Sequence, residues 1–506
     1  MLALLLGLVT AALTLSQQSV NLNPAGQQVV TVTGATPPLA VTLDGKLVNA
    51  TADATGSSVT FTATQATGTD VAHIADANGA TADVAIRVAF DAGTIVAQTT
   101  LRVTGNPADP VWLARQVSDF VTRLTAVQTG AHATIAEVTP PPGPLLPGQS
   151  AAFDVAVQVG GNERFFERSG TTQVNVENIG AQTFAPALLF YDDDPEHVTQ
   201  DGVLFRGRVT AGAPARLYYY HDDASDPRSL VVALSSESED PTSVHLVNTL
   251  AGPNADVMHV GQTATKNFLL AKASGEGVVV DLSQDDPYLI ANVPMSTREL
   301  VAGTVDLALL SGGPVVVTVM AVSPGVDPRA LLAGAVLPGD GHHRTGVFAI
   351  SSFGSDSLTY AAGGPNTTLV IGDTEPTPPN TDPNAQGHDY GDYGVLHTID
   401  VTLKNPSGAP ASAYLYFRPL AGPARASFLI GNDLVDLGCM RLPTPYQVSS
   451  FELAPGQTYR AVVQTMTDGG SFYPAEIGVT AVAPEPTAPP ISAPEGCFPK
   501  PQAASQ

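Results

Sequence analysis

Short runs in which Val, Thr, Ile and Tyr alternate with small or polar residues recur along this chain, with Gly, Pro, Asn and Asp at the breaks. Gln28–Gly34 (QVVTVTG), Ala40–Asp44 (AVTLD), Ser58–Ala63 (SVTFTA), Ala85–Phe90 (AIRVAF) and Ile95–Gly105 (IVAQTTLRVTG) all have this form. A side-chain period of two marks a strand with one buried face, and its recurrence every ~8–12 residues marks β-sandwiches. The expected fold is therefore all-β: tandem Ig-like or related β-sandwich domains, with one linking amphipathic helix. At 506 residues the chain is long enough for about three or four such domains.

Charge narrows the options further. Charged residues make up 14 %, against about 25 % in an average soluble protein, which excludes coiled coils and long solvated helices. The net charge of −25 repels phosphate backbones, so a nucleic-acid partner is excluded as the main task. Leu2–Leu15 (LALLLGLVTAALTL) is too short for a comfortable membrane span, which takes about 20 apolar residues. It reads as the core of a Sec-type signal peptide over residues 1–16, with Thr14 and Ser16 preceding a cleavage at Gln17. The preceding n-region lacks Lys and Arg, and the alternative is a buried first strand or helix of the mature fold. No later run has the length of a membrane span, so the expected location is extracellular or at the cell surface.

A first sandwich is expected over residues 20–105. Asp109 and Pro110 then open a helix within 108–130, its stripe being Leu113, Val117, Phe120, Leu124 and Val127. The Pro-rich stretch 138–149 reads as a semi-rigid linker. Beyond it the chain carries one design twice, over 150–325 and 345–484, before a Pro-rich tail, 485–506. Leu250–Gly261 (LAGPNADVMHVG) parallels Leu420–Gly431 (LAGPARASFLIG), and Leu230–Leu234 parallels Ile399–Leu403. Ser296–Thr304 parallels Ser449–Thr458, and Val317–Pro324 parallels Gly478–Pro484.

Two resemblances accompany these patterns. The first sandwich, with its phrase Leu101-Arg102-Val103-Thr104-Gly105, resembles bacterial Ig-like modules. Val401–Pro410, Glu452–Thr458 and His388–Gly394 (HDYGDYG) resemble functionally uncharacterised exported proteins of cyanobacteria and other environmental bacteria. That likeness spans roughly residues 200–484 and implies neither an activity nor catalytic residues.

Cys439 and Cys497 are the only cysteines. In an oxidising compartment they are expected to pair and fasten the tail to the last sandwich; otherwise they are two free thiols. The histidines show no metal-binding triplet. His342-His343, in GDGHHR, reads as a solvated turn, with a zinc or copper site as the sharper alternative. No Gly-x-Ser-x-Gly elbow, Walker loop or dinucleotide fingerprint occurs, so catalytic residues are expected to be none and the protein is read as no enzyme.

Acidic phrases are the most distinctive polar feature: Asp192-Asp193-Asp194-Pro195-Glu196, Asp222-Asp223, Glu239-Asp240-Pro241 and Asp285-Asp286-Pro287. They read as loop tips, or as oxygen ligands for calcium at one end of a sandwich. Asp382, Asp389 and Asp392, in DPNAQGHDYGD, form the named Ca2+ candidate; otherwise no cofactor is expected. In Tyr218-Tyr219-Tyr220, alternation places Tyr218 and Tyr220 on one face, where they could meet a sugar or simply fill a core. The resulting expectation is a structural or adhesive protein whose partner is a protein or polysaccharide of the cell envelope or matrix. The alternative is a carbohydrate- or Ca2+-dependent binding module.

Overall fold

The computed structural model describes residues 12–182, 184–223, 226–373, 388–493 and 496–497. Strands dominate it, and two compact units are formed: residues 1–101, 110–143 and 150–176 make one, residues 102–109, 144–149 and 177–506 the other.

In the first unit, two four-stranded sheets make a sandwich. One is ordered Thr14–Leu15, Gln27–Thr33, Ser58–Ala63, Val48–Ala52; the other Ser19–Leu22, Thr81–Val88, Gly68–Ala75, Ala40–Leu43. Alternation sends Val30, Val59, Phe61, Ile74, Val84 and Ile86 inward, and each is almost wholly buried. Each such side chain contributes about 1.5–3 kcal/mol. Leu13 joins this core and Thr14–Leu15 pairs with Thr33 and Val32, so the end of the apolar Leu2–Leu15 run takes part in the fold.

Two expectations need adjusting here. The strand Gln98–Thr104 lies outside this sandwich; from Arg102 it belongs to the second unit, where Arg102, Val103 and Thr104 pair with Val279, Val278 and Gly277. Helix α1, Pro110–Leu124, buries Leu113, Ala114, Val117 and Val121. Leu113 and Val117 are buried as expected, but Phe120 and Leu124 are half-buried and Val127 lies beyond the helix, so past Val117 the inward face is carried by Val121.

The second unit holds two sandwiches of the same topology. In the first, a sheet ordered Gly277–Leu282, Thr242–Asn254, Leu300–Ser311, Ala215–Asp223, Leu188–Asp192 packs on a sheet ordered Gly202–Val209, Val315–Val322, Arg228–Ser236, Tyr288–Met295. In the second, Asp433–Met440, Ala424–Ile430, Thr458–Met466, Leu396–Lys404, Ser352–Ala361 pack on Thr367–Ile371, Ala475–Thr480, Ala411–Pro419, Tyr446–Leu453. Strand for strand the order and direction agree, down to the parallel pairing of the first strand in each copy. Ile399, Val401, Leu415, Phe417, Phe428 and Ile477 fill the second core.

The copies differ by an inserted helix that the sequence comparison did not anticipate. Helix α2, Val257–Ser274, follows the strand Thr242–Asn254, whereas the equivalent strand Ala424–Ile430 turns straight into Asp433–Met440. Asp256 caps α2 by accepting from the His259 amide, and Gly275 ends it in the left-handed conformation. Val257–Gly261 is therefore helix while its sequence match Ser427–Gly431 is strand and turn. Leu230–Leu234 and Ile399–Leu403 also lie on non-equivalent strands, as do Ser296–Thr304 and Ser449–Thr458, whose strand residues belong to Leu300–Ser311 and mainly to Tyr446–Leu453; Val317–Pro324 and Gly478–Pro484 fall on equivalent ones.

The Pro-rich stretch 138–149 is not a free tether throughout. Leu145 is buried and exchanges backbone hydrogen bonds with Ala108, and the Gly148 amide donates to the Asn178 carbonyl. A Cys439–Cys497 disulfide holds the tail, which also bonds through Ile491 and Ala493 to Arg425 and Asp256.

Candidate functional site

A cleft of about 640 Å³ opens in the second unit, lined by the end of Leu188–Asp192, the strand Ala215–Asp223, the start of α2 and the loops at 343–344 and 469–472. Tyr191 and Tyr218 are register partners in the parallel pair, so their side chains share a face and the rings stack at 5.5 Å. Alternation brings Tyr220 to the same side, and Tyr219 packs the other way over Gly303. Tyr218 and Tyr220 are each only 4 % exposed, so they offer edges to the cleft and not open ring faces. Phe472, 55 % exposed, lines the cleft, and Tyr390, 59 % exposed, covers the Arg344 guanidinium at 5.1 Å.

The acidic phrase 192–196 supplies the polar wall. The chain leaves the strand Ala215–Asp223 after Asp192 and rejoins it at His197–Val198, where His197 stands opposite Asp222. The Asp222 amide donates to the Glu196 carbonyl at 2.8 Å, which pins the intervening loop. His197 Nδ1 lies 2.8 Å from Asp222 Oδ1. His343 Nε2 lies 2.8 Å from Glu196 Oε2, and its Nδ1 2.6 Å from Asp340 Oδ2. Asp340 is held in turn by its amide, which donates to Asp194 Oδ1. The Tyr191 hydroxyl donates to Asp193 Oδ2 at 3.2 Å.

Burial sets the electrostatics. It pushes Asp193 well above the ordinary carboxylate range, and the neighbouring Glu196 charge adds to the effect. Burial also raises Glu196, against the pull of His343 and His197. The hydrogen bond to Asp222 raises His197, against partial desolvation.

The acidic phrases thus fare differently from one another. Asp192 and Asp223 are fully buried, not loop tips, whereas Asp286 remains exposed in its turn. Asp382 lies outside the described residues. Asp389 and Asp392 are both fully buried: Asp389 Oδ1 accepts from the Tyr393 amide and Asp392 Oδ2 from the Gly372 amide. Burial, then the Asp392 charge, holds Asp389 well above its ordinary range. His343, expected in a solvated turn, belongs instead to the acidic cluster. Sequence alone did not join it to Glu196, because only the fold of the 340–343 loop brings the two together.

No family model matches the chain, and no curated protein matches it. Among solved structures it is similar to SGBP-B of the Bacteroides ovatus mixed-linkage glucan utilization locus, in complex with a mixed-linkage heptasaccharide, at 11 % identity. That match covers 60 % of this chain and 72 % of the other, with a TM-score of 0.15. The IG1 and IG2 domains of DIP-gamma match at 9 % identity over 34 % of this chain and 100 % of theirs, TM-score 0.14. InvD of Yersinia pseudotuberculosis matches at 12 % over 63 % and 100 %, TM-score 0.14. At these identities and scores the likeness concerns sheet architecture alone.

Proposed function

We propose that this protein acts outside the cytoplasm as a non-catalytic adhesive module, and that its cleft holds a polysaccharide of the cell envelope or matrix. The observation that supports this is the exposed aromatic ring of Phe472, which lines the cleft beside a wall of tyrosine hydroxyls and carboxyls. Open ring faces stack on the apolar faces of sugars, and a polar wall satisfies their hydroxyls. The test is affinity electrophoresis of the full chain in gels cast with soluble β-glucan, xylan or alginate. Retardation by at least one gel, reduced about tenfold or more in Phe472→Ala, is expected; equal mobility in all gels sinks the reading.

One observation favours a hydrolytic reading: Asp193 and Glu196 are two carboxyls lining the same cleft. Release of reducing ends from the retarding polysaccharide, lost in Glu196→Gln, would establish it in place of pure binding. The extracellular address is tested separately. Secretion with a mature N-terminus at Gln17 is expected, and it would remove the edge strand Thr14–Leu15.

A further inference from the structure

Four side chains from three segments meet beside the cleft. Glu196, His197 and Asp222 each present a donor atom, all within 4.8 Å of one another. His343 Nε2 reaches Glu196 Oε2 from the facing loop, and the His197 and His343 rings meet edge to face at 5.8 Å between centroids. We propose that Glu196, His197, Asp222 and His343 bind one divalent transition-metal ion, zinc by preference, and that Asp340 acts as the positioning residue for His343.

The donor chemistry carries this choice. Two imidazoles and two carboxylates are the ligand types of four-coordinate zinc, with bonds of about 2.0–2.2 Å and ligand atoms therefore about 3.3 Å apart. Calcium takes six to eight oxygen donors, which this set does not supply. The 2.8 Å His–carboxylate contacts and the 4.8 Å limit among Glu196, His197 and Asp222 bracket that spacing, and His343 Nε2 joins the set through Glu196 Oε2.

The surroundings point the same way. His343 Nδ1 faces Asp340 Oδ2 at 2.6 Å, and Asp340 Oδ1 also accepts the amides of His342 and His343. A carboxylate on Nδ1 fixes the tautomer that leaves Nε2 aimed at Glu196, which is how metal-ligating histidines are commonly oriented. Independently of these four residues, Asp193 Oδ1 is shut off from solvent and accepts no hydrogen bond, in the cleft that Glu196 and His343 line. A nearby dication adds to the countercharge that Arg344 supplies to this carboxyl.

The inference deepens the binding reading but does not need a sugar, and its test uses the metal alone. The full chain, stripped with a chelator, is titrated with Zn2+ by calorimetry at neutral pH, and loaded with Co2+ for visible spectroscopy. One equivalent of zinc is expected, with Co2+ bands typical of nitrogen and oxygen ligation. His343→Ala and His197→Ala should each weaken zinc at least tenfold, and Asp340→Asn about 10–100-fold with unchanged circular dichroism. Asp286→Asn, in an exposed acidic turn, should bind as the wild type. Failure of the wild type to take up stoichiometric zinc overturns the proposal. So does wild-type affinity in both histidine variants, or calcium displacing zinc at equal concentration. Polysaccharide retardation in the presence of chelator reads the cleft by itself, so failure of one reading is distinguishable from failure of the other.

Discussion

Arg425 Nη2 lies 2.8 Å from Asp256 Oδ2, with both side chains 1 % exposed and the residues 169 positions apart. The pair ties the second sandwich to the cap of α2, and Asp256 Oδ2 also accepts the Ala493 amide of the tail. Arg425 donates as well to Gln262 and the Ile491 carbonyl. Removing one partner strands a charge that water cannot reach, which costs about 3–5 kcal/mol. Arg425→Met and Asp256→Asn should each lower denaturant stability by that order and expose the tail beyond residue 485 to proteolysis. A loss under about 1 kcal/mol in both would show the pair to be dispensable.

Gly261 explains why a glycine stands in the middle of α2, where it costs about 1 kcal/mol relative to Ala in an exposed helix. A Cβ there would collide with the Gly469 carbonyl oxygen, a backbone atom that cannot swing aside. Gly261→Ala should therefore destabilise by about 1–3 kcal/mol or more, contrary to helix propensity. Denaturant melts of this variant beside Ala264→Gly separate the two effects, and a stabilised Gly261→Ala would refute the close approach.

The strands were legible because a buried face imposes a period of two, and the Tyr218/Tyr220 versus Tyr219 split followed from that period alone. Helix α2 had readable ends in Asp256 and Gly275, but the shared Leu-Ala-Gly-Pro phrase drew the comparison into the wrong register. In the structure, Leu250–Pro253 lies at the end of the strand Thr242–Asn254, whereas Leu420–Pro423 precedes the start of its equivalent, Ala424–Ile430. The site was legible only as ingredients. His197 meets Asp222 through strand register, and the Asp340 loop meets Asp194 across 146 positions. No local pattern encodes either distance.

The disulfide links residues 58 apart. Closing a loop of that size in the unfolded chain contributes on the order of 4 kcal/mol in the chain-entropy model. Cys439→Ser with Cys497→Ser should lower stability by about 2–4 kcal/mol, with the reduced wild type matching the double variant. A wild type whose melting is unchanged by reductant would show that the bond contributes nothing.

Asp468 gives the chain a specific response to pH. Burial pushes its carboxyl up to about 8; Thr265, Arg425 and Lys266 pull the other way, while the charge of Asp436 adds to the rise. In the unfolded chain the same group ionises near about 3.9. Between these two values the folded state keeps a proton that the unfolded state has released. The unfolded state then binds fewer protons, so this group's contribution is complete below about pH 4 and is lost as pH rises through about 8. Asp468→Asn mimics the protonated form at every pH. Its stability relative to wild type should therefore be near neutral at about pH 4, climb through about pH 6–7, and level off above about pH 8 at a gain on the order of 2–5 kcal/mol. Paired denaturant melts across that range supply the measurement. A difference that stays flat with pH would mean that Asp468 is ionised in the folded protein, with Arg425 and Lys266 compensating its burial in full.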